Sequence, residues 1–147
     1  MNVKIKKLSP DAVIPRYATL GAAGFDLVAV EDVQLFGGQT KLVKTGLAVE
    51  LPMGFEMQVR PRSGTSLKTP LRVANAPGTV DCDYRGEVCV IITNTLAPNG
   101  DLALVEIKKG ERIAQGVICA VEHAEFVEVE ELSGTARGAG GFGSTGK

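Results

Sequence analysis

Apolar and polar residues alternate along several short stretches of this chain. The clearest stretch is residues 55–60, written FEMQVR, in which every second residue is apolar, and residues 47–51 and 3–5 repeat the pattern. Successive side chains of a β-strand point to opposite faces, so a period of two is typical of a strand that is buried on one face only. The pattern therefore predicts one half-buried strand in each of these stretches.

Denser apolar runs occur at residues 88–92, 102–107 and 117–121, and they predict strands that are buried more completely. Turn signals rich in glycine and proline separate the runs, at residues 37–38, 52–54, 75–78, 98–100 and 109–110. Many short strands at close spacing, without a convincing amphipathic helix, predict an all-β sandwich or barrel. No repeat and no linker divides residues 1–132, so we expect them to form one domain.

The C-terminal segment has a different composition. Six of the fifteen residues from 133 to 147 are glycine, and Phe142 is the only large apolar residue among them. Such a segment cannot supply a core and loses much conformational entropy when it becomes ordered. Two interpretations remain open at this point, a disordered terminus and a mobile flap that becomes ordered over a ligand.

The charge balance indicates the class of ligand. Lysine and arginine number 16 against 17 aspartate and glutamate residues, for a formal net charge of −1. Nucleic-acid binders usually carry a basic excess, so we expect a small ligand and no nucleic-acid partner. No apolar run is long enough for a signal peptide or a membrane span, so we expect no association with a membrane.

The cysteines and the single histidine do not form a metal-ligand pattern. Cys82, Cys89 and Cys119 are odd in number and contain no CxxC pair. This suits a reducing cytoplasm, either of a bacterial cell or of the host if the protein is viral. His123 has no cluster of ligands around it, and we interpret it as an ordinary structural or surface residue. Carboxylate, water and substrate oxygens are then the expected ligands of any metal.

The glycine-rich segment resembles two phosphate-binding patterns, and we reject both assignments. Residues 138–143 satisfy G-x-G-x-x-G, but that motif requires a following helix, and only residues 144–147 follow. In the pattern G-x-x-x-x-G-K-[ST], Ser144 stands at the lysine position. A weaker inference survives, because consecutive glycine amides flanked by Arg137, Ser144 and Thr145 could wrap closely around an anionic group.

Three further segments are unusually polar for connections between strands: residues 61–66, 75–87 and 110–115. The first offers a guanidinium and hydroxyl groups suited to phosphate oxygens, although a turn with an ion-paired arginine would look the same. In the second, Asp81 and Asp83 would share a face if they lay on an extended strand, and they could equally be solvated turn residues. The third is a weak signal by itself.

Taken together, five segments resemble, in the same order, the five motifs of trimeric deoxyuridine triphosphatases (dUTPases). They are AGFDL at residues 23–27, PRSG at 61–64, and residues 75–86, 110–115 and 137–146. With the strands between them, the resemblance covers nearly the whole chain, and five motifs in register are highly specific. The departures are small, since Phe25 stands where tyrosine is frequent and Cys82 occupies a variable position.

The resemblance implies a distorted jelly-roll β-barrel with a flexible C-terminal tail, and a homotrimer in which three subunits share three active sites. It implies hydrolysis of dUTP to dUMP and pyrophosphate with Mg²⁺ as cofactor. Asp81 matches the carboxylate that orients and deprotonates the attacking water. The metal is expected to bind chiefly the phosphates and water, and Asp26 is implied to support either this metal–water shell or an arginine.

The resemblance also assigns the substrate contacts. Ser63 matches the residue that contacts the bridge between the α- and β-phosphates. The groups implied to hold the phosphates are Arg62, Ser63, Gly64, Gln115, Arg137, Ser144 and Thr145. The groups implied to hold uracil and deoxyribose are Asn75, Gly78, Thr79, Val80, Tyr84, Phe142 and Gly143. Among these, Tyr84 lies against the sugar and Phe142 stacks on the base when the tail closes over the site.

Three other functions compete with that of a dUTPase. A dCTP deaminase on the same fold carries an additional catalytic glutamate near the third motif, and no residue here fits that role. A module that senses dUTP and regulates a partner would not require an intact Asp81, Ser63 and tail, although an active enzyme could have a second role. A purely structural jelly-roll subunit would have no need for a glycine-rich tail with one aromatic residue.

Overall fold

Ten β-strands and one short helix make up the regular structure of the described residues, 1–99 and 102–142, in a computed structural model. The elements are β1 (Lys4–Lys7), β2 (Phe25–Val28), β3 (Val33–Leu35), β4 (Thr40–Glu50), β5 (Phe55–Arg60), α1 (Ser63–Lys68), β6 (Leu71–Val73), β7 (Gly78–Val80), β8 (Val88–Asn94), β9 (Val105–Ile107) and β10 (Arg112–Ala120). The expected all-β class is therefore confirmed, and no helix in these ranges is long and apolar enough to span a membrane.

The strands form two four-stranded antiparallel sheets and a two-stranded ribbon within the described residues. The first sheet has the order β1-β4-β8-β6, the second has the order β2-β10-β5-β7, and the ribbon pairs β3 with β9. Both sheets and the ribbon contribute to one buried apolar cluster, including Val90 from the first sheet, Met57 from the second and Leu35 from the ribbon. This arrangement is of the jelly-roll type that the resemblance implied.

A buried amide ties the ribbon to the first sheet. The Asn94 side chain is fully buried, and its Nδ2 donates hydrogen bonds to the carbonyl oxygens of Leu35 (2.9 Å) and Ala103 (2.7 Å). Its Oδ1 accepts a hydrogen bond from the Leu96 amide at 3.1 Å. Because buried polar groups without partners are costly, this network fixes the end of β8 against the segments that contain Leu35 and Ala103.

The alternating pattern of residues 55–60 was a reliable signal, whereas the denser runs were interpreted wrongly. In β5, Met57 and Val59 are buried, and the polar residues between them are half-buried. The run at 88–92 also alternates, because Cys89 and Ile91 on the outer face of β8 are only half-buried. Residues 117–121 are likewise partly exposed, and the run at 102–107 becomes a strand only at Val105. Among the described residues, no further layer covers the outer faces of these strands.

Residues 61–66 were expected to be a loop, and here too the structure differs. A helical turn begins at Ser63, stabilised by hydrogen bonds from the Ser66 amide to the Arg62 carbonyl (2.9 Å) and from the Thr69 amide to the Thr65 carbonyl (3.0 Å). Helix α1 buries no residue, so the sequence carries no apolar periodicity that could have indicated it.

The regular structure ends near the end of β10. The Val121 amide donates to the Gly54 carbonyl at 2.9 Å, and residues 122–139 are then exposed and without helix or strand. The predicted boundary between residues 132 and 133 falls inside this exposed segment and stays a prediction.

Candidate active site

The hairpin that precedes Asp81 is positioned by pairing between β5 and β7. Gly78 lies opposite Val59, and Val80 lies opposite Met57. The buried Gly78 leaves space for the Asn75 side chain, since a Cβ atom there would approach Asn75 Nδ2 to 2.9 Å. The Asn75 side chain therefore lies against the backbone of β7.

This hairpin borders a cavity of about 260 Å³. The predicted residues Asn75, Gly78, Thr79, Val80, Asp81 and Tyr84 all line it, together with Leu42, Val59, Glu87, Val88, Cys89 and Ile91. Sequence reasoning singled out none of the second group as site residues. Leu42, Val88, Cys89 and Ile91 lie in β4 and β8, which carry no unusual polar motif at these positions. Burial raises the pKa of the Cys89 thiol, so this thiol is neutral at pH 7 and is no candidate for a nucleophile.

Asp81 and Asp83 do not share the face of a strand. Strand β7 ends at Val80, and the Tyr84 amide donates to the Asp81 carbonyl at 3.2 Å to close a turn. Asp81 borders the cavity at the start of this turn, whereas Asp83 is exposed within the turn. The structure therefore separates the two carboxylates, which the sequence could not rank.

Tyr84 is held by its own loop. Its hydroxyl donates to the Glu87 carbonyl at 3.1 Å, and 45% of the residue is exposed. Gly86 provides the space that this conformation needs, because a Cβ atom there would overlap the Tyr84 hydroxyl. The ring thus has a defined position at the edge of the cavity.

A second group of predicted residues surrounds Asp26. The Arg62 Nε donates to Asp26 Oδ1 at 2.7 Å, and Arg112 Nη1 lies 3.4 Å from Asp26 Oδ2. Strand β10 brings the group together, because Gln115 pairs with Asp26 on one side and with Arg60 on the other. Both carboxylate oxygens of Asp26 thus face guanidinium groups. Arg112 lies in the fourth motif but had not been singled out.

Gln115 and the start of α1 complete this arginine cluster. The Gln115 Nε2 donates to the Pro61 carbonyl at 2.9 Å, and a Cβ atom on Gly24 would come within 2.7 Å of Gln115 Oε1. Glycine at position 24 of the first motif therefore leaves space for the Gln115 side chain of the fourth motif. Ser63 and Gly64 follow Arg62 in the first turn of α1 and are exposed.

The two groups lie at opposite ends of β5. Arg62 lies two residues beyond Arg60, the last residue of β5. The pairing of Val80 with Met57 places Asp81 near the beginning of β5. At ~3.4 Å per residue, about four residues of strand correspond to roughly 14 Å between Asp81 and the end of β5. The cavity beside Asp81 and the arginine cluster thus lie at separate places on one chain.

The described part of the tail makes local contacts. Arg137 Nε donates to the Gly140 carbonyl at 2.7 Å, and the Gly138 amide donates to Thr135 Oγ1 at 3.0 Å. Phe142 is fully exposed. The predicted contacts of Gly143, Ser144 and Thr145 lie outside the described residues.

In the part of the chain that the structure describes, acidic, cysteine and histidine side chains do not cluster in the way that a direct metal site requires. Among residues 1–99 and 102–142, no three of them come together with the geometry to hold an ion. Asp81 and Glu87 border the cavity, and Asp26 is ion-paired with Arg62 in the arginine cluster. A hard cation here would need oxygen ligands from a substrate.

A family model described as dUTPase matches residues 11–146 of this sequence. The chain belongs to the dUTPase family. The match spans all five motifs, and so includes both the cavity and the arginine cluster.

Curated relatives of this dUTPase-family chain carry the name deoxyuridine 5′-triphosphate nucleotidohydrolase. The protein from Nautilia profundicola is 56% identical over 147 residues, covering 100% of both chains. The protein from Wolinella succinogenes is 53% identical and covers 100% of this chain and 95% of its own length.

Solved dUTPase structures are similar along the whole chain. A mutant dUTPase of Staphylococcus bacteriophage 80alpha with dUpNHpp has a TM-score of 0.93 at 31% identity and covers 99% of each chain. A mutant dUTPase from phage phi11 of S. aureus, whose structure reveals the coordination of a structural Mg(II) ion, has a TM-score of 0.84 at 28% identity. It covers 91% of this chain and 100% of that one. The jelly-roll type of fold is thereby confirmed.

Proposed function

We propose that this chain hydrolyses dUTP to dUMP and pyrophosphate, which keeps uracil out of DNA and supplies dUMP for thymidylate synthesis. The observation that carries the proposal is the cavity at which Asp81, Asn75 and Tyr84 meet, in a chain of the dUTPase family. The cavity joins a carboxylate, an amide and an aromatic ring, which are the groups that water activation, base recognition and sugar recognition require.

Uracil is selected by the hairpin. The Asn75 amide and the backbone of residues 78–80 offer donors and acceptors to the edge of the base. Cytosine reverses that pattern and would leave buried polar groups unpaired, a mismatch that can discriminate by ~10⁴–10⁵-fold. A thymine methyl group is excluded by contact with the hairpin, and Tyr84 excludes a 2′-hydroxyl.

Hydrolysis requires one base and several phosphate contacts. The Asp81 carboxylate orients a water molecule and accepts its proton as the oxygen attacks the α-phosphorus. The bond from the α-phosphorus to the bridging oxygen breaks, and pyrophosphate leaves with the electron pair. Ser63 donates toward this bridging oxygen, where negative charge accumulates. Arg62, Gly64 and Gln115 hold the phosphate chain.

The residues present fit a Mg²⁺ ion that is bound mainly through the substrate. The described carboxylates form no direct ligand cluster, and both oxygens of Asp26 face arginines. The ion would neutralise the charge of the triphosphate when bound. Of the two roles implied for Asp26, its contacts favour holding Arg62 in the orientation that binds phosphate.

A complete site is proposed to need three subunits. The roughly 14 Å of β5 between Asp81 and the arginine cluster means that one triphosphate would meet them more easily on different chains. The exposed segment after β10 carries apolar side chains, with Phe126 95% and Leu132 89% exposed. An apolar groove of about 450 Å³, bordered by Val3 and Ile5, offers a place for such side chains from a neighbouring copy. These features support a homotrimer.

Residues 133–147 are proposed to act as the flap of a neighbouring site. Phe142 would stack on uracil, and Arg137 with Ser144, Thr145 and the Gly143 backbone would close over the nucleotide. The glycines permit close approach of the backbone. The three cysteines are unpaired, which suits the cytoplasm that we propose as the location.

The direct test is pyrophosphate release from dUTP, dTTP, dCTP and UTP, each with Mg²⁺. We expect dUTP to be hydrolysed and the other three to react at least ~10³-fold more slowly in kcat/KM, because each breaks a contact of the hairpin or Tyr84. Comparable turnover of dCTP or UTP would contradict the specificity argument. Release of ammonia from dCTP would instead identify a deaminase.

A further inference from the structure

Strand β4 contains a bulge that faces the loop of the third motif. Lys44 pairs with Cys89 and Leu47 pairs with Val88, so Thr45 and Gly46 have no opposite residue in β8. Gly46 adopts a φ of +65°, and a Cβ atom there would lie 2.9 Å from the Ser9 Cβ. Bulges redirect backbone groups away from the ladder, and this one directs the Gly46 amide toward residue 87.

Glu87 connects this bulge to Tyr84 through two different groups. Its carboxylate Oε1 accepts a hydrogen bond from the Gly46 amide at 2.7 Å. Its backbone carbonyl accepts the hydrogen bond from the Tyr84 hydroxyl at 3.1 Å. In addition, the buried Thr45 hydroxyl donates to the carbonyl of the next residue, Val88. Thr45 and Gly46 of β4 therefore anchor Val88 and Glu87. These two residues flank the peptide bond whose carbonyl oxygen accepts the hydrogen bond from Tyr84.

We propose that Glu87 is a positioning residue for sugar selection, which acts by bracing Tyr84 against the β4 bulge. The inference rests on the proposed role of Tyr84 at the deoxyribose. A ring that excludes a 2′-hydroxyl must resist being pushed aside, and the Tyr84 loop is exposed on its outer side. The hydrogen bond between Glu87 and Gly46 anchors the accepting carbonyl to a strand of the barrel, and so limits the movement of the ring.

Glu87→Gln and Glu87→Asp form a matched pair for testing this brace. Glutamine keeps the length of the side chain, and its amide oxygen can still accept from the Gly46 amide. Aspartate keeps the charge but is shorter by one C–C bond, about 1.5 Å, and so withdraws its oxygens from Gly46. The hydrogen bond to Gly46 depends on the length of the side chain at position 87. We therefore expect Glu87→Gln to select dUTP over UTP like the wild type, and Glu87→Asp to select less well.

The measurement is the ratio of kcat/KM for dUTP to kcat/KM for UTP. We expect Glu87→Asp to lower this ratio about two- to tenfold, the effect of one lost hydrogen bond, with a higher KM for dUTP and little change in kcat. A general loss of stability would reduce turnover of both nucleotides together and leave the ratio unchanged. The ratio therefore separates positioning from a merely structural role.

A double-mutant cycle with Tyr84→Phe tests whether Glu87 acts through the Tyr84 hydroxyl. Tyr84→Phe removes the hydroxyl group that donates a hydrogen bond to the Glu87 carbonyl. Adding Glu87→Asp to Tyr84→Phe should therefore lower the dUTP-to-UTP ratio of kcat/KM no further. Independent, additive effects would overturn the proposal. So would an unchanged ratio in Glu87→Asp, or equal effects of the Gln and Asp variants.

Tyrosine fluorescence distinguishes failure of this inference from failure of the proposed function. The chain has no tryptophan and two tyrosines, so Tyr84 is the sole emitter in a Tyr17→Phe background. Tyr17 packs edge-on against Phe25 at 5.5 Å between ring centroids, a contact that phenylalanine preserves. Acrylamide should quench Tyr84 more strongly in Glu87→Asp than in Glu87→Gln, whether or not dUTP is a substrate. Equal quenching would overturn the brace itself. Absent dUTP turnover in the wild type would instead overturn the proposed function and, with it, the role of the brace in sugar selection.

Discussion

Two aspartate side chains near the cavity are chemically alike but lie in different environments. Asp81 and Asp83 are both exposed aspartates, two residues apart, yet only Asp81 borders the cavity that Asn75 and Tyr84 line. A general base must lie within hydrogen-bond reach of the water that it activates, so its position decides between chemically equal carboxylates. Position therefore favours Asp81 as the base.

We expect Asp81→Asn to lower kcat for dUTP by about 10²–10⁴-fold, the usual contribution of a general base, and to leave nucleotide binding nearly intact. Steady-state pyrophosphate release and calorimetric binding of dUpNHpp measure the two effects. Asp83→Asn is the matched control, since it removes the same charge within the turn and should retain most of kcat. Equal losses in both variants would mean that the water-activating carboxylate is misassigned.

The sequence named the polar residues of the cavity and of the arginine cluster more completely than it predicted their contacts. The motif resemblance named all the polar groups that the cavity and the arginine cluster bring together except Arg112 and Glu87. The partners of those two residues lie far away in sequence, as Arg112 contacts Asp26 and Glu87 contacts Gly46. Such contacts depend on strand register and on a bulge, which residue types alone do not determine.

Among the elements, the strands with strict alternation were predictable because their own pattern specifies the buried face. Strand β5 is the clearest example. By contrast, β3, β6, β7 and β9 are three residues long, and α1 buries nothing. Pairing with longer neighbours stabilises these short elements, so local sequence carries little signal for them. The prediction that both faces of β8 and β10 are buried was wrong. An apolar run does not reveal whether other residues of the same chain cover it.

The β4 bulge offers a test of packing at the level of an element. Gly46 and Gly54 both have positive φ, of 65° and 83°, but an added Cβ atom would collide with neighbours only at Gly46. We expect Gly54→Ala to cost about 1–2 kcal/mol for the backbone alone, and Gly46→Ala about 2–4 kcal/mol because overpacking adds to it. Urea unfolding at equal protomer concentration measures both values. A Gly46→Ala variant no less stable than Gly54→Ala would contradict the tight packing around the bulge.

The tail provides a second test at this level. Removal of residues 133–147 should leave a cooperative thermal transition within a few degrees of the full chain, because the described part of this segment buries little surface. Turnover of dUTP should fall by about 10²-fold or more, since phosphate contacts that strengthen in the transition state are lost. Calorimetry and pyrophosphate release check the two expectations. A missing cooperative transition in the truncated protein would show that the segment is part of the folded core and not a flap.

At the scale of the whole molecule, the described residues leave apolar surface exposed, and two such places could be covered by another copy of the chain. The segment after β10 exposes Phe126 and Leu132, and the outer face of β8 leaves Ile91 half-buried beside the exposed Leu42. A net charge of −1 gives little electrostatic repulsion between copies of the chain. Association into a closed ring would cover these surfaces and could bring the cavity of one copy to the arginine cluster of another.

Mixing two inactive variants tests this shared site. Asp81→Asn subunits keep the tail, and subunits that end at Leu132 keep Asp81. After the two are mixed in equal amounts, unfolded and refolded together, each site draws its aspartate and its tail independently if they come from different chains. Roughly a quarter of the sites should then be complete, and activity should recover to about that fraction of the wild type.

The contrasting geometry gives a different result from the same mixture. If Asp81 and the tail of one site belonged to a single chain, no mixed trimer could contain a complete site, and activity would stay at the level of the two variants. Native mass spectrometry must show that mixed trimers have formed, and each variant refolded alone sets the baseline. Mixed trimers without recovered activity would refute the three-subunit site, because random assembly guarantees complete sites whenever the two groups come from different chains.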